Sequence, residues 1–323
     1  MRRRDLIVAL AAASLVPTRV FAQAQPKMLR VGFVSVLPRT VPHYVAFEKR
    51  MAELGYEEGK NFAFEFLETK SIEGYQSAYA ELARRKLDIF IAVGDEPRLR
   101  AALAVAGSLP IVLVANDFDP FVKGYVASLA RPGGNVTGLF VRQLELAAKR
   151  VEPTREVLPN AHILGLWWEA GSRDQAEAAA AAVRSLGFAP RPIEVTGQPP
   201  DYAEALGHMA DAPGEPVMIG ASPVFLRDRA AILPLLLARR TPAIAAFRDF
   251  VEAGALMSYG VDLVGVFREA AGYVDRIARG AKPADLPIAQ PTHFHMAINL
   301  KTAASLGITL PPSLTARADE VIE

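Results

Sequence analysis

The chain has no cysteine among its 323 residues. That absence excludes disulfides, a lipid-modified anchor cysteine, thiolate metal ligands and a thiol nucleophile. Neither charge is in clear excess, with 36 Lys and Arg against 35 Asp and Glu. A protein that tracks a phosphate backbone needs a basic stripe, and the sequence has none, so nucleic acid is not an expected partner. Hydrolase and nucleotide-binding signatures are missing as well. There is no Gly-x-Ser-x-Gly elbow and no His-Glu-x-x-His, and the stretch from Gly55 to Lys60 has the wrong spacing for a Walker loop. His293 and His295 would share one strand face, and Asp117 and Asp119 one loop, yet neither pair brings the further ligands a metal needs. No enzyme, no metal and no cofactor is expected.

What is present begins at the N-terminus. Residues 1–4 are basic, and residues 6–16 form an apolar and small-residue run, well short of the ~20 residues of a spanning helix. Val20-Phe21-Ala22 then offers small or β-branched residues ahead of a cut. This order describes a secretory signal peptide over residues 1–22, cleaved after Ala22, which sends the mature chain to the periplasm with no membrane insertion after processing. Arg3-Arg4-Asp5-Leu6-Ile7 also resembles a twin-arginine motif, which keeps folded export open beside the general secretory route. Loss of the signal takes Lys and Arg from 36 to 32 and Asp and Glu from 35 to 34, leaving a net charge of −2. The apparent basicity belongs to the signal.

From Leu29 onward, apolar β-type runs alternate with helical patterns. Strands are expected at 29–34, 62–66, 88–93, 111–115 and 136–140, with helices at 45–54, 75–85, 97–106 and 125–129 between them. The pattern then restarts, with strands at 163–168, 189–196, 216–220 and 243–247 and helices at 175–186, 202–210 and 227–239. Strands alternating with helices of this length predict an α/β fold with parallel sheets covered on both faces. Two such units predict two lobes. Residues 28–140 plus about 255–285 are assigned to the first, and about 143–252 plus about 288–323 to the second.

In open α/β sheets, ligands bind beyond the carboxyl ends of the strands, near helix N-termini. The post-strand loops therefore supply the candidate binding residues. Ser35, Asn116, Ser222 and the backbone N–H groups near Asp95 suit a ligand carboxylate. Asp117, Asp119, Glu169 and Asp249 suit an ammonium group. Tyr44, Phe118, Trp168 and Phe225 are placed to sandwich an apolar or aromatic part. Arg39 and His43 in the first loop bring both signs of charge to the expected cleft. Any one of these residues also reads as a turn, cap or core-edge residue, so it is their clustering at strand ends that carries the expectation.

Several long segments resemble the ABC transporter substrate-binding protein family of the tryptophan/tyrosine type. One is Val126-Ala127-Ser128-Leu129-Ala130-Arg131-Pro132-Gly133-Gly134-Asn135-Val136-Thr137-Gly138-Leu139. Another is Phe247-Arg248-Asp249-Phe250-Val251-Glu252-Ala253-Gly254-Ala255-Leu256-Met257-Ser258-Tyr259-Gly260. The C-terminal run Gly280-Ala281-Lys282-Pro283-Ala284-Asp285-Leu286-Pro287 and, further on, Pro311-Pro312-Ser313-Leu314 are similar too. The resemblance implies a type I periplasmic-binding fold, in which two Rossmann-like lobes are joined by a three-crossing hinge, here near 140–143, 252–255 and 285–290. It implies capture of a small molecule, of amino-acid or small aromatic carboxylate type, for an ABC permease of the inner membrane. A periplasmic sensor presenting its ligand to a membrane receptor would share the same fold. The site set drawn from the post-strand loops is Ser35, Arg39, Tyr44, Gly94, Asp95, Asn116, Asp117, Trp168, Glu169, Ser222, Phe247 and Asp249. The chain departs from the family at three of these loops. Gly94-Asp95-Glu96-Pro97 replaces Gly-Thr-Pro, Asn116-Asp117-Phe118-Asp119-Pro120 replaces a Gly-Asp-Pro loop, and Trp167-Trp168-Glu169 replaces Trp-Asn-Pro. The two acids of the first loop suit a cationic or neutral polar ligand.

Overall fold

Residues rich in Val, Ile, Leu and Phe, bounded by Gly, Asp and Asn, form the strands of a computed structural model that describes residues 28–209 and 214–323. The expected signal peptide lies outside the described residues. In chain order the first sheet takes β1 (Leu29–Ser35), β2 (Phe62–Glu68), β3 (Ile89–Gly94), β4 (Ile111–Ala115) and β5 (Val136–Phe140). Their spatial order is β2-β1-β3-β4-β5, and every pairing is parallel. The helices α1 (Pro42–Glu53), α2 (Tyr75–Ala83) and α3 (Glu96–Ala106) lie between these strands. β3 and β4 are buried along their whole length, as the continuous apolar runs of a doubly covered parallel sheet require.

After β5 the chain crosses into α4 (Gln143–Lys149) and α5 (Val151–Val157), then β6 (Ile163–Trp168), α6 (Arg173–Ser185), β7 (Ala189–Glu194), α7 (Tyr202–Gly207), β8 (Val217–Ile219), α8 (Pro223–Ala238), β9 (Ala243–Ala245), α9 (Arg248–Glu252) and β10 (Met257–Val261). It then crosses back through α10 (Leu263–Ala278). A third crossing leads to β11 (Phe294–Asn299), α11 (Leu300–Leu306), α12 (Pro312–Arg317) and β12 (Glu320–Ile322). The second sheet runs β12-β11-β10-β9-β8-β6-β7, parallel except between β10 and β11.

Local chemistry sets the helix ends. The side chains of Asp95, Asp201, Ser222, Asp262 and Asn299 accept backbone N–H groups at the starts of α3, α7, α8, α10 and α11, each satisfying a donor that the helix itself leaves free. Gly307, at a left-handed φ of 72°, ends α11. Val266, Phe267, Ala270, Ala271, Tyr273 and Val274 of α10 are buried. The Phe267 ring meets Phe33 of β1 at 6.3 Å and Tyr44 of α1 at 5.1 Å, so α10 closes the first lobe from a distance in sequence.

Three differences from the sequence-based expectation have plain causes. Residues 255–261 were assigned to the first lobe, but β10 finds ladder partners on both sides in the second sheet, β9 and β11. The second crossing therefore falls at Asp262, not at 252–255. The helix expected at 125–129 is a series of bends that follows the turns at 120–124. There Tyr125 N–H reaches back to Pro120 O, and the Ser128 hydroxyl bonds both N–H and O of Arg131, competing with helical bonding. No element was expected between residues 143 and 162, where the chain forms two short helices, α4 and α5.

Candidate functional site

The carboxyl ends of β3 and β4 present Gly94-Asp95 and Asn116-Asp117. From the second lobe, the end of β6 presents Glu169 and Gly171, and the start of α8 presents Pro223 and Val224. These residues and Arg98 line a cavity of ≈ 10 Å³ between the lobes, about the room one water-sized group needs. Glu169 and Val224 also line a larger neighbouring groove of ≈ 750 Å³, with Lys70 and Ser71 on one lobe and residues 194–200 and Arg227 on the other.

Arg98 is 3 % exposed. Its guanidinium lies 4.2 Å above the Tyr75 ring and donates to the Tyr75 hydroxyl, with Nε 4.0 Å from Asp95 Oδ1. That Nε has no hydrogen-bond acceptor. Gly94 makes room for the guanidinium. It sits at φ +121°, and a Cβ there would stand 2.7 Å from Arg98 Nη1. Asp95 accepts the Arg98 N–H at 3.3 Å as the cap of α3.

The two lobes touch at this point. Gln175 of α6 donates from Nε2 to Asp117 Oδ1 at 2.8 Å and to Ala221 O at 2.9 Å, while its Oε1 accepts Ala221 N–H at 2.8 Å. Arg227 donates across the groove to Lys70 O at 3.0 Å. A Cβ on Gly171 would lie 3.0 Å from Asp95 Oδ2 and 3.0 Å from Glu169 Oε1, so these two oxygens, from opposite lobes, are at most twice that distance apart. Burial raises the Asp117 pKa well above the usual carboxylate range; the Gln175 bond opposes the rise, and Asp95, Glu169 and Asp174 add to it. Burial likewise raises Glu169, against the pull of the Gly171 N–H and the Ser222 hydroxyl. Three carboxyl groups and one guanidinium thus share a largely desolvated space.

Of the expected site residues, Gly94, Asp95, Asn116, Asp117 and Glu169 come together here. Ser222 is buried beside them, with its Oγ accepting Val224 N–H at 3.1 Å. The others lie elsewhere. Ser35 Oγ is 2.7 Å from Tyr44 OH and accepts Leu37 N–H, so that pair satisfies itself inside the first lobe. Arg39 is held on the outer face by Glu48 and Glu58, over the Phe64 ring. Trp168 packs against the α6 side of the second sheet beneath Arg173. Phe247 is core. Asp249 stands in the first turn of α9, its pKa raised by burial with Arg229 opposing. Tyr44, Phe118 and Phe225, expected around an apolar ligand part, are core residues as well. His43 is buried against Tyr44 and Phe267, which lowers its pKa to about 3. Arg98, Gly171 and Gln175 were missed. Gln175 looks like any polar residue in a first helical turn, and its partners are 46 and 58 positions away.

Two mostly parallel α/β sheets, crossed three times by the chain and facing each other over a small cavity, define a type I periplasmic-binding fold. The chain belongs to the family described as ABC transporter substrate binding protein, whose model matches residues 40–322. A tyrosine-binding protein from Clostridioides difficile (strain R20291) is 22% identical over 269 residues, covering 80% of this chain and 75% of that protein. An ABC domain from Streptococcus pneumonia in complex with L-Trp superposes with a TM-score of 0.79 at 21% identity, covering 92% of this chain and 100% of that one. A ligand-free, open substrate-binding protein with adhesive properties from Clostridium difficile gives 0.64 at 20% identity, over 91% and 99% of the two chains. Among the described residues, no helix is long and apolar enough to cross a membrane.

Proposed function

We propose that this chain is the solute-capturing component of an ABC importer, exported by its N-terminal signal and working in the periplasm. The observation that carries this reading is the cavity where Asp95 and Asp117 of one lobe meet Glu169 and Gln175 of the other. A solute bound there touches both lobes only when they are together, so its contacts favour the closed arrangement by population shift. Val141–Arg142, Asp262 and the segment after Ala289 are the crossings about which the lobes would swing. The closed outer faces of both lobes would then meet an inner-membrane permease. The ligands named for relatives, tyrosine and L-Trp, make ammonium-bearing aromatic solutes the first class to test.

A thermal-shift screen of the protein against amino acids, amines, sugars and small carboxylates tests the capture reading. A solute at 100 times its dissociation constant is expected to add ~2.7 kcal/mol to stability. A panel in which no solute raises the midpoint would remove the support for capture.

A further inference from the structure

We infer that the captured solute carries a neutral hydroxyl group, of an alcohol, sugar or phenol, which enters the cavity between the lobes and bridges Arg98 to Asp95. This inference rests on the capture reading and names the chemistry of that same site. The observation behind it is Arg98. Its side chain is 3 % exposed, lines the cavity, and keeps an Nε–H with no acceptor in the protein. A buried donor left without a partner loses its hydration for nothing in return, so an atom with a lone pair completes the cavity. The Nε lies 4.0 Å from Asp95 Oδ1. That is too long for a direct hydrogen bond, and it is a span that one oxygen with two arms of ~2.8 Å bridges.

Head groups sort by what they offer. A hydroxyl has one donor and two lone pairs, so it accepts from Arg98 Nε and donates to Asp95 in one place. An ammonium has three donors and no lone pair, and it leaves the Arg98 donor unmet. A carboxylate has the lone pairs but brings three heavy atoms and a negative charge. The space is ≈ 10 Å³, ringed by Asp95, Asp117 and Glu169, and it admits one water-sized group. The polar groups around this position are already engaged with one another. Asp117 Oδ1 accepts from Gln175, Glu169 Oε2 accepts the Gly171 N–H, and the far end of the Arg98 guanidinium donates to the Tyr75 hydroxyl. The body of the solute has room beyond Glu169. The groove of ≈ 750 Å³ there offers Val195, Pro199 and Val224 together with Ser71, Thr196 and Gln198, walls that suit either an aromatic ring or further hydroxyls.

Solutes that differ by one hydroxyl decide the matter, titrated calorimetrically into the full protein. L-Tyrosine against L-phenylalanine and tyramine against phenethylamine test a phenol. D-Glucose against its singly deoxygenated analogues tests a sugar, and the same deletion is made in any other hydroxylated solute the screen returns. One pair is expected to bind about 100-fold more weakly without the hydroxyl, equivalent to ~2.8 kcal/mol, and that pair names the source. Arg98→Met keeps an unbranched side chain over Tyr75 and removes the Nε–H; it is expected to shrink the ratio to within about 5-fold. Should that variant not fold, a crystal structure of the native complex serves instead, with a ligand hydroxyl oxygen expected within ~3.2 Å of Arg98 Nε. The inference is overturned, while solute capture stands, if the tightest solute carries no hydroxyl or binds as well without it. An unchanged ratio in Arg98→Met, or a water in place of the ligand oxygen at Nε, overturns it too. If nothing in the screen binds, both readings fall together.

Discussion

Gln175→Ala separates what holds the second lobe from what holds the lobes together. The side chain is 1 % exposed and makes three hydrogen bonds. Two of them satisfy the N–H and C=O of Ala221, both within the second lobe, and so persist whether the cleft is open or closed. Their loss leaves two buried backbone groups unpaired, each costing about 1–3 kcal/mol. With some relief from water entering the space, the variant should lose ~2–4 kcal/mol of unfolding free energy. The third bond, to Asp117 at 2.8 Å, exists only with the lobes together. Its loss therefore belongs to closure and binding, at about 1–2 kcal/mol or roughly 5- to 30-fold in affinity.

The assay is a pair of measurements on one variant. Urea unfolding gives the stability change, and calorimetric titration with the solute returned by the screen gives the affinity change. A double-mutant cycle with Asp117→Ala then isolates the interlobe bond, because only that contact is shared by the two residues. Coupling close to zero, with affinity within twofold of the parent, would refute the claim that this contact helps hold the closed state. Unchanged urea stability would refute the role given to Ala221.

Acidity is expected to move the free protein in a fixed direction. Asp117 and Glu169 have raised pKa values, so the closed fold binds more protons than the unfolded chain, and its stability falls as pH rises above the ordinary carboxylate range. The thermal midpoint should be higher near pH 5 than near pH 7.5 for this contribution, and Asp117→Asn should flatten the slope; a slope unchanged in the variant would assign the effect to other groups. Gly138→Ala combines a φ of +132° with a Cβ 2.1 Å from Leu113 O, and should cost about 3 kcal/mol or more in unfolding experiments. Trp168→Ala and Arg39→Ala should leave solute affinity within about twofold, the first with a stability loss of ~1–2 kcal/mol from a partly buried ring. A tenfold loss of affinity in either would put that side chain back in the cleft.

Part of the candidate site was legible because a parallel strand declares its own end. Ile89–Gly94 and Ile111–Ala115 are apolar runs broken by Gly94-Asp95 and Asn116-Asp117, and the physics of open α/β sheets places whatever follows such a break at the cleft. Glu169 follows from β6 by the same rule. The rule fails where a loop residue finds a partner inside its own lobe. Ser35 and Tyr44 follow β1 as Asp95 follows β3, yet they bond each other, and Phe267 of α10 roofs them. That helix arrives more than 200 residues later, and no local pattern reports it. The swapped placement of β10 has the same origin, since its run of β-formers fits either sheet and only the ladders of β9 and β11 decide.

What no single segment contains is the sign of the cleft. Asp95, Asp117 and Glu169 each read as an ordinary turn or cap acid, and Asp95 does cap α3. The chain's near-neutral balance hides them. They become a site only when the sheets of two lobes bring them face to face, at which point three carboxyl groups surround a small space with one guanidinium, and burial raises the pKa of two of them. Selectivity in such a protein is therefore set by closure as much as by any loop.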